Sequence, residues 1–209
     1  MAILKVGGTQ IASSSGSDVT LDNVALGSSV TGIPTAGMVH LATYTGDNTV
    51  ATTYLNLGSY ASYNTHILRF ENVRFATDSL GMILRVSTNT TALTTGYQTA
   101  AHRIYATGSA TPVITTEYNT DRLLYLAIYA GNDTGEPGLS GEASVFGALS
   151  SLWTSARGHV FEWKGDGYIE VIDGWGMYQT AVATPYLHLV SGAGNFVSGN
   201  IILYGVNNA

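Results

Sequence analysis

The sequence predicts an all-β protein, an antiparallel sandwich or barrel, and two observations carry that expectation. Apolar residues recur at spacing two along most of the chain, and the breaks between runs are filled with Gly, Asn, Asp, Ser and Thr. Runs of this kind follow one another at short intervals with turn residues between them, which is the pattern of sandwiches and barrels.

The strands are justified one by one. Thr65 to Glu71 alternates His66, Leu68 and Phe70 against Ile67, Arg69 and Glu71. Met82, Leu84 and Val86 oppose Ile83, Arg85 and Ser87, and Arg122 to Tyr129 sets Leu124, Leu126 and Ile128 against Leu123, Tyr125, Ala127 and Tyr129. Further strands are expected at Val39 to Thr45, Tyr97 to Tyr105, Ala143 to Phe146, Gly158 to Lys164, Tyr168 to Ile172, Tyr186 to Val190 and Asn200 to Val206. Gly165-Asp166-Gly167 reads as a hairpin tip and residues 131–138 as a long polar loop. Ala148 to Ala156 is the one stretch where a short helix, or else an irregular crossover, is expected.

The first 36 residues differ from the rest. Ile3 to Val6 suits a strand, the Ser-rich run 13–17 suits a flexible segment, and Ile33-Pro34-Thr35-Ala36-Gly37 marks a boundary. Residues 1–36 therefore read as a short extended N-terminal arm, ordered against neighbours, and residues 37–209 as the sandwich.

Composition narrows the function classes. Only 11% of the 209 residues are charged, against roughly 25% in ordinary soluble domains. Lys5 and Lys164 are the two lysines. A surface of Thr, Ser, Asn, Gly and Tyr suits a chain packed in a large assembly, where ordering long charged side chains costs entropy. The net charge of −6 and the lack of a basic stripe argue against a nucleic-acid partner. There is no cysteine, hence no disulfide, thiolate metal site or cysteine nucleophile. No run approaches the roughly 18 apolar residues of a membrane span. The start lacks the pattern of a signal peptide, so synthesis in the cytoplasm of the expressing cell and no membrane insertion are expected.

Several short patches resemble a group of virion proteins of tailed bacteriophages. They are Phe70-Glu71-Asn72-Val73-Arg74 with Thr77-Asp78, Leu84-Arg85-Val86-Ser87-Thr88, Gly138-Leu139-Ser140-Gly141, and above all the C-terminal run from Ser191 to Val206. In that run a Ser-Gly-X-Asn-X-X-Ser-Gly turn leads into a last strand ending Leu-Tyr-Gly, with an extra Gly-Ala pair before Asn195 as a departure. In the arm, Val6-Gly7-Gly8-Thr9 and Thr20-Leu21-Asp22-Asn23-Val24 are similar to phage fibre and decoration proteins. The resemblance implies a jelly-roll-like sandwich, self-associated and often trimeric. It implies a tail-fibre or receptor-binding role, or else a head-decoration (cement) role stapling capsid subunits, with residues 1–36 contacting other virion proteins. It carries no catalytic residue.

His40, His66, His102, His159 and His188 show no metal-ligand spacing and read as strand-face or interface residues, although His66 and His188 sit in strands that a cupin-like site would use. Glu162, Asp166, Glu170 and Asp173 crowd one hairpin, the densest acidic cluster. A virion glycan hydrolase would need such paired carboxylates, but a solvated outer face with a turn Asp is the expectation. Asp133 and Glu136 lack the alternating ligands of a calcium loop, and neither a Gly-X-Ser-X-Gly elbow nor a phosphate loop is present. The sequons at Asn89 and Asn132 read as chance triplets in a Thr-rich chain. No enzyme, metal or cofactor is expected.

Aromatics are the stronger signal. Thirteen tyrosines and three tryptophans in so uncharged a chain offer flat faces for sugar rings or protein partners. Trp175 and Tyr178 stand out because Gly174 and Gly176 flank the tryptophan, which suggests a loop or bulge. Trp153, Tyr60 and Tyr63 are the further candidates for a host-surface glycan or an interface.

Overall fold

The computed structural model describes residues 2–6, 9–15, 18–20, 37–78, 80–106, 112–132, 135–164, 167–192 and 194–207. The chain divides into two units, Met1–Thr35 and Ala36–Ala209. In the first, β1 (Ala2–Val6), β2 (Thr9–Ser15) and β3 (Asp18–Thr20) form a three-stranded antiparallel sheet in the order β1-β2-β3. The Ser-rich run expected to be flexible is thus partly strand: Ser13, Ser14 and Ser15 pair with Thr20, Val19 and Asp18. Serine carries no steric bar to extended backbone, and ladder hydrogen bonds decide.

The second unit holds β4 (Gly37–Thr45), β5 (Thr52–Asn56), β6 (Thr65–Phe75), β7 (Leu80–Ser87), β8 (Tyr97–Ala106), β9 (Pro112–Asn119), β10 (Leu124–Ala130), β11 (Leu139–Phe146), β12 (Thr154–Lys164), β13 (Tyr168–Tyr178), β14 (Tyr186–Ser191) and β15 (Phe196–Asn207). A 3-10 turn, Leu57–Tyr60, is capped by the Asn56 side chain, which accepts from the Gly58 N–H at 2.9 Å. Every pairing is antiparallel. One sheet runs β4-β15-β6-β11-β12-β13-β8-β9, the other β5-β14-β7-β10, and the Ala130–Lys164 bridge joins them.

The core lies between these two sheets. Leu68, Phe70, Val73 and Phe75 of β6 and Ile201 and Leu203 of β15 are buried from one side; Met82, Leu84 and Val86 of β7, Leu124 and Leu126 of β10, and Leu187 and Leu189 of β14 are buried from the other. Alternation predicted these faces, because a half-buried strand repeats every two residues. Close approach needs glycine at Gly176 of β13, where a Cβ would collide with the Leu123 carbonyl oxygen. The expected helix at 148–156 is absent. Gly147 takes φ +72°, Ser150 N–H closes a turn on the Gly147 carbonyl at 3.0 Å, and β12 has begun by Thr154.

Asn72 organises one end of β6. Among the described residues it is one of two non-glycines with positive φ, at +51°. Phe70 pairs with Gly141 and Val73 with Leu139 on one side, while Glu71 pairs with Asn200 and Arg74 with Ser198 on the other. β6 therefore carries one extra residue against both neighbours, a β-bulge at Asn72. Gly138 and Gly199 press against this bulge so closely that a Cβ on either would strike the backbone at Asn72–Val73. The Asn72 N–H donates to Ser140 Oγ at 3.0 Å. The glycine-bearing patches around Asn72, Gly138 and Gly199 are thus three sides of one packing arrangement.

Candidate functional site

Between the sheets, β12 and β13 bring two carboxylates together. Glu162 and Glu170 are directly paired across the ladder and are 1% and 0% exposed. This corrects the expectation of a solvated acidic face. Even-numbered residues of these strands (Val160, Glu162, Glu170, Ile172) point inward, while Phe161, Ile169 and Asp173 point outward. Glu162 Oε1 accepts the N–H groups of Ile128 (3.1 Å) and Tyr129 (2.9 Å), where the β10 register breaks between Ala127 and Ala130. The carboxylate thus satisfies donors that the irregular strand cannot place in a ladder. Glu170 Oε1 accepts from Arg103 Nε of β8 at 2.5 Å, and the guanidinium lies 5.0 Å from the Tyr129 ring centre. Burial pushes Glu162 up to about 8; the Tyr129 and Ile128 N–H groups pull it down, Glu170 adds to the rise and Arg103 opposes it. The Oε2 atoms of both glutamates are buried without a hydrogen-bond partner.

A hydrolase would need its paired carboxylates open to a polymer, and these are enclosed. Asp173 lies on the opposite face, bonded to His159 Nδ1 at 2.5 Å. Gly165, Asp166 and Asp133 lie outside the described residues.

His66 belongs to β6 of the larger sheet and His188 to β14 of the smaller, and burial lowers the pKa of both. His188 Nε2 is 2.7 Å from Ser87 Oγ. Among the described residues, no group of three or more His, Asp or Glu could hold a metal ion, and no helix is long and apolar enough to cross a membrane.

The outward face of the larger sheet is where exposed chemistry collects. Arg69, Glu142, His159, Asp173 and His102 form one cross-strand row over β6, β11, β12, β13 and β8, with basic and acidic residues alternating. Beside it a shallow groove of about 610 Å³ is lined by Arg69, Glu71, Ser140, Glu142, His159 and Phe161, among others. A second groove, of about 340 Å³, lies between Trp175 and Tyr118.

Of the five aromatic candidates, two face solvent. Trp175 is 46% exposed, and Trp153, just before β12, is 50% exposed. Trp175 is not in a loop or bulge: it sits in regular register opposite Arg157 and Ala100. Its flanking glycines face inward, where Gly176 is pressed against the other sheet. Tyr178 is buried, its ring 5.1 Å from that of Tyr97. Tyr60 is half-buried and donates from its hydroxyl to the Leu41 carbonyl at 3.1 Å, and the ring of half-buried Tyr63 covers Gly205. Tyr118 escaped the sequence reading because β9 is a Thr-rich run that alternation does not mark.

No protein-family model matches the chain, and no curated protein is similar to it.

Proposed function

We propose that this chain is a non-enzymatic structural protein of a bacteriophage particle, of the tail-fibre or receptor-binding type. It attaches through residues 1–36, self-associates as a homotrimer, and presents the outward face of β12, β13, β8 and β9 to a host surface glycan. The strand order carries the reading. Setting aside the hairpins β8–β9 and β12–β13, the two sheets run β4-β15-β6-β11 and β5-β14-β7-β10. That order supports an eight-stranded jelly-roll reading, the architecture of viral capsid and lectin domains. Enclosure of Glu162 and Glu170 supports a non-catalytic role.

A head-decoration role is the second reading, favoured by β4. Among the described residues this strand pairs only with β15, and Gly37, Met38, Val39 and His40 are all exposed, Met38 at 55% and Val39 at 44%. An open strand edge with apolar residues on both faces invites a neighbouring subunit. The test is the copy number of the chain in purified particles, by mass spectrometry against the major capsid protein. A few to a few tens of copies per particle supports the receptor-binding reading, and hundreds, following capsid symmetry, support decoration. Absence from particles sinks both.

A further inference from the structure

We propose that the groove between Trp175 and Tyr118 is a saccharide site that holds one pyranose ring. This deepens the receptor-binding reading and rests on it.

The site is a product of register. Trp175 of β13, Ala100 of β8 and Tyr118 of β9 are direct cross-strand partners in one row, so all three point outward from the same face. The two aromatics are 46% and 65% exposed. Standing two strands apart, their backbones are separated by about 10 Å. Only the Ala100 methyl occupies the floor between them. A ring stacked against both walls at the usual contact distance of about 3.5–4.0 Å fits that width.

The same sheet shows what a filled equivalent looks like. That equivalent lies two rows along the same face, across β12, β13 and β8: Phe161, Val171 and Ile104 are successive partners, with a valine in the middle position that Ala100 takes in the slot. The His102 and Trp175 rings stand at 84° with their centres 5.2 Å apart, a contact that supports the Trp175 wall. Gln98, Ser155 and Met177 complete the lining. Apolar faces above and below with amide and hydroxyl groups at the rim match a pyranose, whose C–H faces stack while its hydroxyls project edgewise.

The full chain would be screened on an array of purified bacterial O-antigen and capsular polysaccharides, then titrated calorimetrically with a fragment of the polysaccharide it retains. Ala100→Leu fills the slot and Tyr118→Ala removes a wall, both on the solvent face. Tyr54→Ala removes an exposed aromatic from the other sheet. The expected result is at least a tenfold loss of affinity for the first two, none for the third, and unchanged melting temperatures. Retention of no polysaccharide by the wild type, or equal affinity in Ala100→Leu and Tyr118→Ala, overturns the proposal. So does a wild-type oligomer that Ala100→Leu converts to monomers in sedimentation, because the slot would then hold a second copy of the chain. Copy number in particles is independent of these results, so failure of the slot and failure of the receptor-binding reading are told apart.

Discussion

Glu162 and Glu170 share a buried cross-strand pair in which one carboxylate is committed to backbone N–H groups of β10 and the other to Arg103. Burial above all, with the neighbouring Glu170 adding to it, holds the proton on Glu162 and gives the sandwich a pH dependence of unusual sign.

Stability falls as pH rises through the neutral range. Glu162 is held above its ordinary value of 4.5, at about 8. Between those pH values the folded state keeps a proton that the unfolded chain has released, so raising pH favours unfolding. The melting temperature is expected to drop between pH 5 and pH 9, and Glu162→Gln to flatten the drop while retaining the oxygen that caps β10. A wild-type curve that is flat or rises across this window refutes the assignment.

Arg103→Met leaves the Glu170 charge buried beside Glu162 and is expected to cost about 3–5 kcal/mol. Adding Glu170→Met to it should recover much of that loss, because no uncompensated charge remains. Denaturant unfolding of the two variants, with equal slopes, checks the pair; a double variant no better than the single one contradicts it.

Gly176 and Gly174 are two residues apart on the same inward face and predict opposite outcomes. A Cβ at 176 collides with the Leu123 carbonyl, whereas at 174 its nearest neighbour is the Tyr125 carbonyl at 3.5 Å, an ordinary contact. Gly176→Ala should destabilise by about 1–3 kcal/mol or more. Gly174→Ala should be neutral or gain about 0.4–1 kcal/mol from the less flexible unfolded chain. Thermal melts that rank them the other way contradict the sheet spacing.

Asn72→Gly should be tolerated and Asn72→Ala should cost about 1–2 kcal/mol, since alanine at φ +51° meets its own backbone. Equal stability of the two variants would mean that the bulge does not constrain that residue.

Much of the architecture was legible because alternation reports which side of a strand is buried. Leu68 and Phe70, Met82 and Leu84, and Leu124 and Leu126 are apolar at spacing two and all are buried. The rule did not resolve β12 and β13, where both faces carry apolar residues: Glu162 and Glu170, expected on a solvated face, are buried, while Phe161, Ile169 and Trp175 are exposed. A better guide was the parity of the glycines. Gly158, Gly174 and Gly176 share the inward face with Glu162 and Glu170, and at Gly176 the backbone at Leu123 comes near enough to require glycine. β5 and β9 went unread because short or Thr-rich edge strands bury too little to impose a pattern. The slot at Ala100 could not be seen either, since it depends on the register of three strands drawn from two distant hairpins.

That dependence reaches beyond the slot. The hairpins β8–β9 and β12–β13 leave the eight-stranded frame at separate connections, yet they meet along the β13–β8 seam over nine successive residue pairs from Glu170–Tyr105 to Tyr178–Tyr97. Neither can be lengthened, shortened or exchanged between relatives without the other. Inheritance should therefore treat residues 97–119 and 154–178 as a single cassette, diverging together while the frame that carries them changes slowly.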